Sequence, residues 1–144
     1  MKLISVVVPC FNEQEVFAES YKRLSDTLAQ LDPQKYTYEL IFVNDGSKDN
    51  TLQQIQAAVA ADKHVKGINF ARNFGHQIAI TAGLDLCTGD AAVVIDADLQ
   101  DPPQVILEMI EKWEQGFDVI YGKRRERAGE SAFKLLTAKC FYRF

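Results

Sequence analysis

The sequence predicts an α/β domain built on a mostly parallel sheet with helices on both faces. Three observations carry that prediction. Short β-branched apolar runs alternate with stretches of helical spacing, the pattern of successive βαβ units. Residues 91–95 are apolar throughout, which suits a central strand covered on both faces. Polar and charged residues stand directly after the strands, where open parallel sheets bind their ligands. The 144 residues, 47% apolar and 25% charged, suffice for one domain with its own core, spanning 1–144.

Residues 3–8 form the first strand, ended by Pro9. Residues 13–31 follow as a helix, with Val16, Phe17, Tyr21, Leu24 and Leu28 on one face. The second strand, 38–43, ends at the turn-forming Asn44, Asp45, Gly46 and Ser47. A helix over 49–61 carries Leu52, Ile55 and Val59 on one side. The third strand covers 65–70, the next helix 75–87 and the fourth strand 91–95. Pro102 and Pro103 open a further helix through Leu107, Ile110 and Trp113. Residues 117–121 read as a fifth strand. Residues 133–144 read as an amphipathic helix with Phe133, Leu136, Cys140, Phe141 and Phe144 on one stripe, and no cap follows it. That uncovered stripe makes the chain read as the N-terminal part of a longer protein, and it suits self-association into a homo-oligomer.

Charge divides the chain. Residues 1–122 hold nine Lys and Arg against eighteen Asp and Glu, while 123–144 hold seven against two. A basic tail of this kind is either a solvated helix face or a surface for phosphate or anionic membrane. Because the ligand-facing strand ends are acidic and net positive charge is confined to the tail, nucleic acid is not an expected partner. No apolar run reaches bilayer length, and Met1, Lys2 and Leu3 lead straight into strand pattern, so neither a membrane span nor a signal peptide is expected. Cys10, Cys87 and Cys140 are odd in number and lack metal spacing, which fits reduced thiols in the cytoplasm.

Three motifs carry the chemistry. In Asp96-Ala97-Asp98-Leu99-Gln100-Asp101-Pro102-Pro103, an apolar strand delivers two carboxylates one residue apart. Hard divalent cations take such oxygen ligands and keep substrate phosphates in their shell. Asp98 is therefore read as a metal ligand, and Asp101 as the cap of the next helix. In Asn44-Asp45-Gly46-Ser47-Lys48-Asp49-Asn50-Thr51, Gly46 makes the turn, Ser47 or Asp49 caps a helix, and Asp45 is placed to accept from a base N–H. In Pro9-Cys10-Phe11-Asn12-Glu13, Asn12 is a candidate cap and Glu13 suits the first helical turn. Arg72 reads equally as a pyrophosphate contact and as a salt-bridge partner. His76 opens a helix beside the crevice and reads first as structural.

These three motifs in this order resemble glycosyltransferase family 2. Ala71-Arg72-Asn73-Phe74-Gly75-His76-Gln77 and Tyr121-Gly122-Lys123-Arg124 are similar to the bacterial polyprenyl-phosphate glycosyltransferases, relatives of dolichyl-phosphate mannose synthase. The resemblance implies a GT-A fold, Rossmann-like and truncated here at its C-terminus. It implies an inverting transferase that moves sugar from a nucleotide-diphosphate sugar, UDP-linked or GDP-mannose, to a lipid phosphate. Pro9, Glu13 and Asp45 would line the nucleoside pocket, and Arg72 would serve the donor. Asp96, Asp98 and Gln100 would hold Mg²⁺ or Mn²⁺. Lys123, Arg124, Arg125 and Arg127 would bind the acceptor phosphate, with Arg124 in the catalytic set. The whole protein would work at the cytoplasmic face of the plasma membrane, touching it through the basic amphipathic end. Two other readings stand beside this one: a family 2 transferase with a saccharide hydroxyl acceptor, whose carboxylate base would lie beyond Phe144, and a non-catalytic nucleotide- or metal-binding fragment.

Overall fold

A computed structural model describes residues 1–123. Its elements are β1 (Lys2–Cys10), α1 (Phe17–Leu28), β2 (Tyr36–Asn44), α2 (Thr51–Ala61), β3 (Val65–Asn69), α3 (His76–Asp85), β4 (Ala91–Val94) and α4 (Val105–Glu114). The four strands are parallel and lie in the order β3-β2-β1-β4. Cys10 pairs in register with Asn44, Asn44 with Asn69, and Val7 with Val94, so the carboxyl ends of the strands share one edge. The order reverses between β1 and β4, because α3 carries the chain from one end of the sheet to the other. Such a reversal leaves a crevice outside the strand ends.

Alternation along the strands builds two cores. Ile4, Val6, Val8 and Cys10 of β1 face α1, α2 and α4, packing with Phe17, Leu24, Ile55 and Ile106. Val7, Ile41 and Val43 face the other way, against Ala79 of α3. Helices thus cover both faces, as expected. Gly83 lets α3 approach closely: a Cβ there would sit 2.2 Å from Val7 Cγ1. Under α3, Glu39 of β2 is 5% exposed. It accepts from Ser5 Oγ at 2.6 Å and from the Thr88 N–H at 3.0 Å, and it pairs with Lys66 Nζ.

Three expectations change. Residues 117–121 form no strand; Val119 and Tyr121 are over 80% exposed beside the edge of β4. An apolar run becomes a strand only where a neighbour pairs with it. Accordingly β4, expected in the centre, is an edge strand among the described residues, with alternating rather than continuous burial. The helix expected from residue 13 begins at Phe17, after a turn over residues 14–16 in which the Val16 and Phe17 N–H groups both donate to the Glu13 carbonyl. The expected helix 133–144, and the docking, membrane contact and self-association tied to it, lie outside the described residues. Among the described residues no helix is long and apolar enough to cross a membrane.

Candidate active site

The loops after β1 and β2 are stitched together by side chains of the motif residues. Ser47 Oγ accepts from the Asn12 N–H at 3.0 Å, Asp49 Oδ2 from the Gln14 N–H at 3.2 Å, and Thr51 Oγ1 from the Glu13 N–H at 2.9 Å. In return Asn12 Oδ1 accepts from the Lys48 N–H at 2.8 Å. Asn12, expected as a cap, instead adopts φ 52° and bridges the two loops. Asp49 also accepts from the Thr51 N–H at 2.9 Å, taking one donor of the first turn of α2. These polar residues hold the rim of the crevice rather than face into it.

A cavity of about 380 Å³ opens at the strand ends. Pro9, Phe11 and Glu13 line it from β1, Asp45 from β2, Asn73 and His76 from the β3–α3 connection, and Asp96 and Asp98 from β4. The structure therefore brings together five predicted site residues: Pro9, Glu13, Asp45, Asp96 and Asp98. It leaves Arg72, Gln100 and Lys123 outside the residues lining the cavity. The Arg72 guanidinium stacks over the Phe74 ring at 4.2 Å. Gln100 is exposed, and its N–H donates to Asp98 Oδ1 at 3.1 Å, which fixes that carboxylate. Leu99 between them takes φ 63°, a left-handed conformation that turns Asp98 back toward the cavity. The helix expected to be capped by Asp101 starts later, at Val105, with no side-chain cap. Arg124, Arg125 and Arg127 lie outside the described residues.

Asp45 is more deeply engaged than expected. It is 3% exposed, with Oδ1 accepting from the Phe74 N–H at 2.7 Å and Oδ2 from the Gly75 N–H at 3.2 Å. Asn73 Nδ2 donates to Oδ2 as well, at 3.2 Å. Its first task is to tie the start of α3 to the end of β2. Phe11 and His76 are contributors that the motif reading did not select. Phe11 is 44% exposed in the cavity wall, an aromatic face on which a base can stack. A solvent-facing aromatic one step past the strand end was its signal.

The electrostatics fit a cation. Burial raises the Glu13 carboxyl above its usual range, and the negative charges of Asp98, Asp49 and Asp96 raise it further. Burial, with the charge of Glu13, pushes the Cys10 thiol well up, so it stays a protonated wall residue. Carboxylates gathered in one cavity attract a hard divalent ion. Among the described residues no three His, Cys, Asp or Glu side chains stand close enough to ligate one. The donor set of Asp96 and Asp98 therefore fits an ion whose remaining ligands are water and substrate oxygens, the habit of Mg²⁺ and Mn²⁺ at phosphates.

Comparison with known proteins agrees with this geometry. Residues 5–142 match Glycosyl transferase family 2. The chain is 55% identical over 139 residues to the uncharacterized glycosyltransferase YkcC of Bacillus subtilis, covering 96% of this chain and 42% of that protein. It is 46% identical over 140 residues to a bactoprenol glucosyl transferase of Shigella phage SfX, covering 97% of this chain and 45% of that protein. The chain thus spans less than half the length of these relatives. Among solved structures, the mannosyltransferase PcManGT of Pyrobaculum calidifontis, in complex with GDP-Man and Mn²⁺, matches with a TM-score of 0.64 at 22% identity, over 76% of this chain and 31% of that one. TarS of S. aureus matches with a TM-score of 0.61 at 22% identity, over 80% of this chain and 20% of that one. The fold is GT-A, and the chain belongs to glycosyl transferase family 2.

Proposed function

We propose that this chain is the donor-binding part of a transferase that moves a sugar, with inversion, from a nucleotide-diphosphate sugar to a polyprenyl-phosphate carrier. The observation that carries the reading is the convergence of Asp96, Asp98 and Glu13 at the switch point of the sheet, beside an aromatic face. Pro9, Phe11 and Asp45 form the nucleoside side, with Phe11 stacking the base. UDP-sugar is the preferred donor and GDP-mannose the second. Asp96 and Asp98, with Gln100 on the adjoining turn, would hold Mg²⁺ or Mn²⁺, and such an ion would supply Lewis-acid stabilisation for a diphosphate leaving group.

A phosphate acceptor is already anionic at neutral pH, so it needs orientation more than deprotonation. Arg124, Arg125 and Arg127 suit that task through bidentate contacts, and Lys123 as a point charge. The bactoprenol glucosyl transferase relative supports a lipid acceptor. A lipid acceptor suits a whole protein that works at the cytoplasmic membrane face. The test is calorimetric titration of UDP and GDP, with and without Mn²⁺, against wild type and Asp98→Ala. One nucleotide binds wild type only with Mn²⁺, and Asp98→Ala weakens it at least about tenfold, the scale of a lost charged contact. Failure of folded wild-type protein to bind either nucleotide would overturn the reading. In the full-length protein, transfer to a saccharide hydroxyl rather than to polyprenyl phosphate would replace the acceptor half of it.

A further inference from the structure

The crevice carries a charge conflict. Glu13, Asp45, Asp96 and Asp98 line it, and the donor proposed for it brings two phosphates. A metal held by the carboxylates answers part of that repulsion, but oxygens of a diphosphate also need N–H donors. The donors of the β3–α3 connection are mostly committed. Asn73 Nδ2 donates to both the carboxylate and the carbonyl of Asp45 at 3.2 Å, and the Phe74 and Gly75 N–H groups are bound by the same carboxylate. Among the lining residues, His76 is the one side chain with a positively charged form.

We propose that His76 is a donor-binding residue that holds the diphosphate through Nε2–H; the assignment rests on the transferase reading above. Nε2 lies 3.4 Å from Asp96 Oδ1, and the side chain is 55% exposed. That separation is longer than a good N–H···O bond, so a phosphate oxygen entering beside Asp96 is the better acceptor for this proton. The backbone that carries the imidazole is fixed. Asp45 anchors the two residues before it, and Gly75 supplies the φ of 105° that starts α3. Ala79, fully buried, and Gly83, against Val7, pin the helix to the sheet. His76 therefore approaches the diphosphate from the α3 side while Asp96 and Asp98 approach it from β4.

The experiment compares wild type, His76→Ala and His76→Lys in the full-length protein. Titrations use UDP, uridine, GDP and guanosine in the presence of Mn²⁺, and Mn²⁺ alone followed by electron paramagnetic resonance. The diphosphate that binds wild type is expected to lose about tenfold in affinity in His76→Ala, the scale of one charge-assisted hydrogen bond. Its nucleoside and Mn²⁺ alone are expected to change less than twofold, and His76→Lys to recover most of the diphosphate affinity. Equal loss of nucleoside and diphosphate, loss of Mn²⁺ binding, or failure of Lys to restore binding assigns His76 to shaping the wall and overturns the proposal. Unchanged diphosphate affinity in His76→Ala overturns it while leaving the transferase reading intact. Absence of binding in wild type overturns both.

Discussion

A carboxylate at a strand end can serve a ligand or the fold, and Asp45 shows how the balance is decided by its neighbours. Three N–H groups from residues 73–75 converge on it at 3% exposure, so its charge is satisfied before any donor arrives. Asp45→Ala leaves the Phe74 and Gly75 N–H groups without an acceptor. Chemical denaturation is expected to show a loss of about 2–4 kcal/mol, the cost of orphaned donors to a buried charge. Asp45→Asn keeps one acceptor oxygen and loses less. If Asp45→Ala unfolds at the same urea concentration as wild type, the contacts to 73–75 do not stabilise the loop. The sequence marked Asp45, Asp96, Asp98 and Glu13 as site residues because carboxylates after apolar strands are chemically conspicuous. It did not show which N–H groups Ser47, Asp49 and Thr51 would take. All three are cap-type residues, yet all three serve the loop 12–14, some 35 residues away in sequence, and such partners follow from strand register.

At the scale of elements, the parallel sheet is held toward its amino end by the buried carboxylate of Glu39, whose partners Ser5, Lys66 and Thr88 come from two other strands and the α3–β4 connection. Burial alone would raise the Glu39 carboxyl, but Lys66, Ser5 and the Thr88 N–H outweigh it and bring it to about 2. A carboxyl whose folded pKa is depressed stabilises the fold above its unfolded pKa and loses that contribution as pH falls toward the folded one. Stability is therefore expected to decline between about pH 5 and 2, by an amount on the order of 2 kcal/mol from this group. Glu39→Gln is expected to be less stable at pH 7 and to flatten that acid limb, as read by urea unfolding at a series of pH values. An unchanged limb would assign the acid sensitivity to other carboxylates. The four paired strands and the four helices were legible in the sequence because period-2 and period-3.6 patterns survive in each. The start of α1 was not, since Glu13 and Gln14 fit a helix as well as they fit the turn over 14–16 that precedes it. The place of β4 was not either: an all-apolar strand reads as central, and only the pairing partner decides that.

The whole molecule carries an asymmetry between its two sheet edges. Among the described residues β3 ends the sheet on one side, partly covered by α2, while β4 ends it on the other beside residues 118–122. Between β4, α4 and that segment lies a hollow of about 640 Å³ lined by Val94, Met109, Trp113, Val119 and Tyr121. An edge strand with apolar side chains beside it is a template for pairing with another chain. The relatives are more than twice as long as this chain. The isolated 144-residue chain is accordingly expected to self-associate through this edge. Sedimentation velocity across a hundredfold range of concentration should show the weight-average mass rising, and Val119→Lys with Tyr121→Lys should hold it at the monomer value. Both positions are highly exposed, so the substitutions leave the core and the crevice untouched. A wild-type chain that stays monomeric throughout would mean that the β4 edge is not a self-association surface. A wild-type chain that associates equally with and without the two lysines would move the contact to another surface. Association through β4 would leave the crevice untouched, because the crevice draws its described lining residues from the carboxyl ends of β1 and β2, from the β3–α3 connection and from the end of β4.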